Sequence, residues 1–404
     1  MIKILKHKDV DVAVLETNQN GVIFKVHEVL NKAHMPLPSV RENGTVDEER
    51  IDTWWIGRGI SENRKEYIEV MQRLNNIGKD MMLHLSKGLS LSDHYWVQKE
   101  NENYQWKDIN FYENEFDRSL GKLFFGIEKK DKNYDFNSPD VTTSGNLKKR
   151  WNIASNGNRV LIKAGSDPFM QEPLNEVIAT VICKRLGIPH VPYKIKYRKN
   201  EPYSECENFT TIDKELIEAI DIYYSREPVY ENDNLYKHFI KCCKEYDVKG
   251  CQNMINRMLI LDYIMLNHDR HFRNFGILRN SDNLDDYSFA PIYDSGSSLF
   301  YNDKNSRIKL PEYAQKGKIC FDGDLLKQLK YVTDFSWIKL HIFKELYNEC
   351  KDNIFEEMKE DTERAQLVSK VLEKRFAEIT VIIEKKLEKI NNNSEQREAH
   401  KKVR

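Results

Sequence analysis

The chain has 404 residues, long enough for two to three domains at roughly 150 residues each and for a large buried core. With 40% hydrophobic and 31% charged residues it is too apolar for a disordered chain and too charged for a membrane protein. Lys and Arg (63) balance Asp and Glu (64), so no field of one sign points to nucleic acid, and sparse Gly and Pro exclude collagen-like and low-complexity classes.

The cysteines are odd in number and contain no C-x-x-C pair, so neither a disulfide framework nor a zinc site is expected, and the reading is a cytoplasmic protein. The N-terminus meets Asp9 and Asp11 before any apolar run of signal length develops. No apolar stretch approaches the roughly 18 residues that would span a bilayer.

Residues 1–128 read as an α/β region of short strands and helices. Val12 and Val14 begin an alternation that Val22–Val26 continues after Asn20-Gly21, the pattern of a hairpin. Trp54, Trp55, Tyr95, Trp96, Trp106, Phe111 and Tyr112 follow in company; they are expected to anchor a core, with a binding platform as the alternative. Residues 129–140 are charged and polar and mark a boundary. Within a second segment, 129–209, residues 141–205 read as strand, turn, strand, helix, strand, strand. Arg159–Lys163 is one β-rich run, and Val191–Tyr197 and Pro202–Cys206 are two more. Between them Pro173 opens a helix with Val177, Ile178, Val181, Ile182 and Leu186 on one face and Gly187 at its end. Residues 210–391 read as mainly helical: Met254, Met258, Leu261 and Met265 make a buried face, and 364–390 a long amphipathic helix. Residues 392–404 form a polar tail.

The segment richest in chemistry is Leu266–Leu278, where a buried helix runs into a dense polar loop and an apolar strand runs out. The loop carries Asp269 and, five residues later, Asn274; further on, Asp294 is expected at the end of another strand. Phosphoryl transfer wants this set: one aspartate to orient the attacking hydroxyl and take its proton, and an amide oxygen with a second carboxylate to hold Mg²⁺ against the phosphates. The alternatives are an aspartate that only caps a turn, and a transition-metal cluster of His268, Asp269 and His271.

The Asp-to-Asn spacing is that of the protein-kinase catalytic loop H-R-D-x-x-x-x-N. The order Asn267-His-Asp-Arg-His-Phe-Arg-Asn274, with Tyr293-Asp294 beyond it, resembles the HipA-like serine/threonine kinases, whose loop has the form N-x-D-x-H-x-x-N and whose metal strand ends in Y-D. The resemblance covers about residues 140–350; residues 1–128 do not match the N-terminal subdomain of the founding HipA toxins. It implies an α+β, two-lobed, protein-kinase-like fold, with an antiparallel sheet in a mixed N-lobe and a mainly helical C-lobe. It implies ATP and Mg²⁺, with Asp269 as catalytic base and Asn274 and Asp294 at the metal. Lys163 would meet the phosphates, paired with Glu176. Ser144, Gly145 and Asn146 would lie in a small phosphate-covering loop, and Glu207 and Phe209 in an adenine-contacting hinge. Ser144, or Thr143 beside it, would be the site of autophosphorylation. His271 is assigned to holding the loop, with a direct catalytic role as the alternative. The resemblance further implies a protein substrate and a small antitoxin or DNA-binding partner, as a toxin or a regulatory kinase, with no direct nucleic-acid binding and no membrane. A lipid or small-molecule kinase and a nucleotide-binding pseudokinase are the rival readings.

Overall fold

The computed structural model describes residues 1–41, 43–127, 134–227, 234–309 and 319–402, with side chains to residue 389. Part of the polar stretch expected at 129–140 therefore lies outside the described residues. Contacts group the chain into two compact units, each made of several segments: residues 1–165, 196–249 and 275–290 in one, and 166–195, 250–274 and 291–404 in the other.

The first unit holds three antiparallel sheets, apart from residues 193–195 at the start of one strand. In one, β1 (Ile2–His7) lies between β2 (Val10–Thr17) and β4 (Tyr95–Lys99), and β3 (Ile23–Val29) pairs with β2 to complete the expected hairpin. In the next, β5 (Lys149–Ile153), β6 (Arg159–Ala164), β7 (Tyr193–Arg198) and β8 (Glu201–Glu207) stand in the order β5-β6-β8-β7, so β6 is interior. These are the strands expected from their β-rich runs. The N-terminal aromatics form core: Trp96 and Phe111 are fully buried, and with Trp106 and Phe116 they pack on Trp151 of β5. The alternative of an exposed platform does not hold for these residues.

The third sheet falls where the sequence reads as mainly helical. It consists of β9 (Lys214–Glu218), β10 (Gly276–Asn280) and β11 (Tyr287–Phe289), in the order β11-β10-β9. Apolar alternation does not reveal β9, because the residue it buries most fully is Glu215. That carboxylate sits 2.6 Å from Arg279 of β10 and 3.1 Å from His7 Nε2 of β1, which ties the N-terminal sheet to this one through a buried ion network.

The second unit is helical. The helix Glu172–Leu186 begins with Pro173 in its first turn and stops at Gly187, whose φ of +63° closes the C-terminus as expected. In the helix Cys251–Met265 all residues but Gln252, Asn253 and Arg257 are buried, so it forms the centre of this unit. The helices Phe343–Glu357 and Thr362–Lys402 complete the packing. The last one continues through the residues read as a polar tail. Two arginines tie it down, Arg364 buried and Arg375 half-buried: Arg364 donates to Gln171 Oε1 (2.8 Å) and to the carbonyl oxygens of Phe300 (2.7 Å) and Asp303 (2.8 Å), and Arg375 to Tyr263 O (2.8 Å).

Candidate active site

The candidate catalytic loop begins where the Cys251–Met265 helix is forced to stop. Leu266 takes a left-handed conformation (φ +49°), and the Asn267 N–H turns back to Asp262 O at 2.9 Å. The Asn267 side chain then works in both directions, donating to Asp262 Oδ1 (2.8 Å) and accepting the Asp269 N–H (3.1 Å). Within the loop, Asp269 O accepts from the His271 N–H (2.9 Å) and from Asn274 Nδ2 (2.7 Å). Asn274 Nδ2 thereby spends one of its two N–H groups on the loop's own backbone. His271 uses Nδ1 to accept the Arg273 N–H (3.2 Å), and its Nε2 stands 3.9 Å from Asp269 Oδ1, beyond hydrogen-bond reach. Its bonds to the Arg273 N–H and, through its own N–H, to Asp269 O shape the loop. Desolvation lowers the pKa of His268 to about 4, so it is neutral at pH 7.

Arg270 holds the arrangement together. It and Asp262 are both fully buried, with Nε 3.1 Å from the Asp262 carboxylate. Burial works against its charge, but Asp262 beside it holds the guanidinium above its ordinary range. Its other donors reach Asn274 O (2.6 Å), Tyr293 O (2.5 Å) and Ser295 Oγ (3.0 Å). One rigid fork thus holds the backbone carbonyls of Asn274 and Tyr293 together with the Ser295 hydroxyl, on either side of Asp294. Asp294 itself lies in a loop beyond an isolated bridge between Ile292 and His190, not at the end of a strand as expected, and has φ +58°. The next residue is pinned from the other side, because the Ser295 N–H donates to Glu176 Oε2 at 2.9 Å. Glu176 is buried on the Glu172–Leu186 helix, and Asn175 beside it donates to Gly296 O (2.8 Å) and Ser298 O (2.7 Å). Asp269, Asn274 and Asp294 are each partly exposed.

The remaining candidates belong to the first unit. Lys163 lies on β6 opposite Lys149 and Ser204 and is 5% exposed, so it is no surface lysine at a strand edge. Thr143 is buried, Ser144 half-buried, and Gly145 and Asn146 exposed. Glu207 ends β8, followed by Asn208, whose N–H donates to Arg159 O (2.8 Å) and whose Nδ2 donates to Leu91 O (3.0 Å); Phe209 is half-buried.

Sequence reasoning missed Asp262, Arg270 and Asn175. The available signal was an aspartate in an otherwise apolar helical run with an arginine eight residues further on, in the loop. Among the described residues, the group whose ligand atoms come within metal-binding range is His7, His94 and Glu215, so His268, Asp269 and His271 do not form the alternative cluster. In that group Arg279 donates to Glu215 Oε1 (2.6 Å) and His94 Nε2 pairs with Thr211 O (2.9 Å), while His94 Nδ1 is buried without a partner among the described residues.

A polar catalytic-type loop in a helical unit, and a buried strand lysine in a unit of antiparallel sheets, define a chain with a HipA-like kinase fold. Residues 138–369 match the HipA-like C-terminal domain family, more than half of the chain, and the chain belongs to that family. Over 137 residues it is 33% identical to the serine/threonine-protein kinase CtkA of Helicobacter pylori strain J99, a match that takes in 31% of this chain and spans only 40% of that relative. The crystal structure of the Helicobacter pylori proinflammatory kinase CtkA is similar with a TM-score of 0.46 and 18% identity, over 60% of this chain and 95% of that one. A chain of the Shewanella oneidensis MR-1 toxin–antitoxin complex of HipA, HipB and operator DNA matches with a TM-score of 0.55 and 11% identity, over 93% of this chain and 96% of that one. The fold likeness therefore extends into N-terminal residues that the family match does not reach.

Proposed function

We propose that the chain transfers the γ-phosphoryl group of ATP to a serine or threonine hydroxyl of a protein, with Mg²⁺, and that its own Ser144 or Thr143 is one acceptor. The observation that carries this reading is the Arg270 fork, which holds the backbone at Asn274 and around Asp294 in one rigid frame. A buried ion pair spent on fixing two partly exposed oxygen-bearing residues fits a site that must hold a charged ligand still. The donor set fits as well: an amide oxygen and a carboxylate, without thiolate or imidazole, suit a hard cation. Mg²⁺, when bound, neutralises charge on the phosphates.

In this reading Asp269 accepts a hydrogen bond from the acceptor hydroxyl and takes its proton as the new oxygen–phosphorus bond forms; the bond to the bridging oxygen breaks and ADP leaves. Asn274 and Asp294 are the metal ligands, and His271 positions the loop. Lys163 is assigned to the phosphates, Glu176 to ordering the segment after Asp294, residues 143–146 to covering the phosphates, and Glu207 and Phe209 to the adenine side. The working context is the cytoplasm with a small antitoxin or DNA-binding protein as partner, a reading supported by the fold shared with the toxin–antitoxin assembly. The test is transfer of labelled phosphate from ATP to serine- and threonine-containing protein, comparing wild type with Asn274→Ala and Asp269→Asn. Transfer confined to the wild type supports the reading. Transfer to lipid or small-molecule hydroxyls alone, or unaltered transfer by Asp269→Asn, overturns it.

A further inference from the structure

Arg64 lies outside the family match, in a turn between residues 61 and 67, yet its side chain ends in the loop at 143–146. It is 5% exposed. Nη2 donates to Thr143 O (2.5 Å) and Thr143 Oγ1 (3.1 Å), and Nε donates to Gly145 O (2.9 Å). The fork thus closes on the residues either side of Ser144. Two outer contacts reinforce it: Ser61 Oγ lies 2.9 Å from Asn146 Oδ1, and Glu66 pairs with Lys148 at 3.1 Å. The turn that presents Arg64 is closed by its own backbone bond, Tyr67 N–H to Arg64 O at 2.9 Å.

This is a costly way to fill space. The guanidinium donates to neutral oxygens, and Nη1 is buried without any partner among the described residues. An unpaired buried donor and a desolvated charge both work against stability, and an apolar side chain of similar volume would avoid both. Desolvation lowers the pKa to about 10, with Asp140 opposing, so the group stays charged at neutral pH. What the guanidinium supplies that an apolar residue lacks is direction, because one rigid plane fixes two carbonyls two residues apart.

We propose that Arg64 is a positioning residue that clamps the 143–146 loop in its nucleotide-covering shape, so that the N-terminal region sets ATP affinity and the availability of Ser144. The proposal rests on the kinase reading for its enzymatic consequence only; the clamp itself stands on the contacts. A loop held in shape before the nucleotide arrives saves the ordering cost on binding.

The test compares wild type with Arg64→Ala and Arg64→Lys by hydrogen exchange over residues 143–148 and by steady-state kinetics on an added protein acceptor. Losing at least one charge-assisted hydrogen bond is expected to speed loop exchange about tenfold or more, with exchange in β5 and β6 unchanged. Lysine keeps the charge and loses the fork, so it should not rescue. KM for ATP is expected to rise about tenfold while kcat stays within about twofold, the pattern of lost ground-state binding. Should Arg64→Ala fail to fold, Arg64→Lys and the Ser61→Ala/Glu66→Gln pair carry the same comparison. Loop exchange equal to wild type, or full rescue by lysine, overturns the clamp whatever the enzyme does. If the wild type binds no ATP, the kinase reading fails while the exchange result still decides the clamp.

Discussion

Replacing Arg270 by methionine tests the frame on which the candidate site rests. The substitution removes the partner of a carboxylate that is fully buried and strips three acceptors, Asn274 O, Tyr293 O and Ser295 Oγ, of their donor. Breaking a buried pair from one side costs about 3–5 kcal/mol, because an uncompensated charge remains. Urea unfolding followed by circular dichroism reads that loss. Removing both charges, as in Asp262→Leu/Arg270→Met, leaves no buried charge, and stability should return to within about 1–2 kcal/mol of wild type. Activity should not return. Without the fork the Asn274 and Tyr293 carbonyls lose the donor that ties them together, although Glu176 still holds the Ser295 N–H, and a misplacement of about 1 Å costs roughly a hundredfold in rate. A stable, inactive double variant is the expected outcome. The reasoning is refuted if the single variant costs under about 1 kcal/mol, or if the double variant transfers phosphate at the wild-type rate.

Three further outcomes are expected. Chelating divalent cations should abolish transfer, and Asn274→Ala should raise the Mg²⁺ concentration needed for half-maximal rate; an unchanged requirement would remove Asn274 from the metal site. Gly121→Ala should destabilise by about 1–3 kcal/mol or more, since an added Cβ would meet Asp140 Oδ2 at 2.1 Å, and a gain in stability from helix propensity would contradict the packing. Burial pushes the Asp140 carboxyl up to about 7 from an ordinary 3.8, against the pull of the Trp151 N–H, Ser138, Arg150 and Arg64. The folded chain therefore keeps a proton that the unfolded chain gives up, and the stability this represents, complete below the unfolded value, is lost as pH rises towards 7. Measured against Asp140→Asn, wild-type stability should fall by about 1.4 kcal/mol per pH unit across that window and level off above it; a flat difference would contradict the shift.

The parts legible in the sequence were those written in local pattern. The β2–β3 hairpin, β5 to β8 and the helix from Pro173 to Gly187 all follow from periodicity and end signals over a few residues. The loop with Asp269 and Asn274 was legible because its spacing is short. What escaped depends on partners far along the chain. β9 hides behind a buried Glu215 that makes sense only with Arg279 and His7. Arg270 reads as one more charge in a polar loop until Asp262 and Tyr293 are seen at its ends. Asp294 was expected to end a strand because Ala290–Tyr293 looks extended, yet it follows an isolated bridge and takes a left-handed conformation. Arg64 gives no local signal for its contacts, which lie 79 and 81 residues further on.

The most direct test of the central claim is intact mass after incubation with Mg-ATP, for wild type beside Asp269→Asn. A phosphate-sized gain in the wild type alone, mapping to Ser144 or Thr143, is the predicted result. An equal gain in both proteins, or no gain in a wild type that also fails to bind ATP, would contradict it.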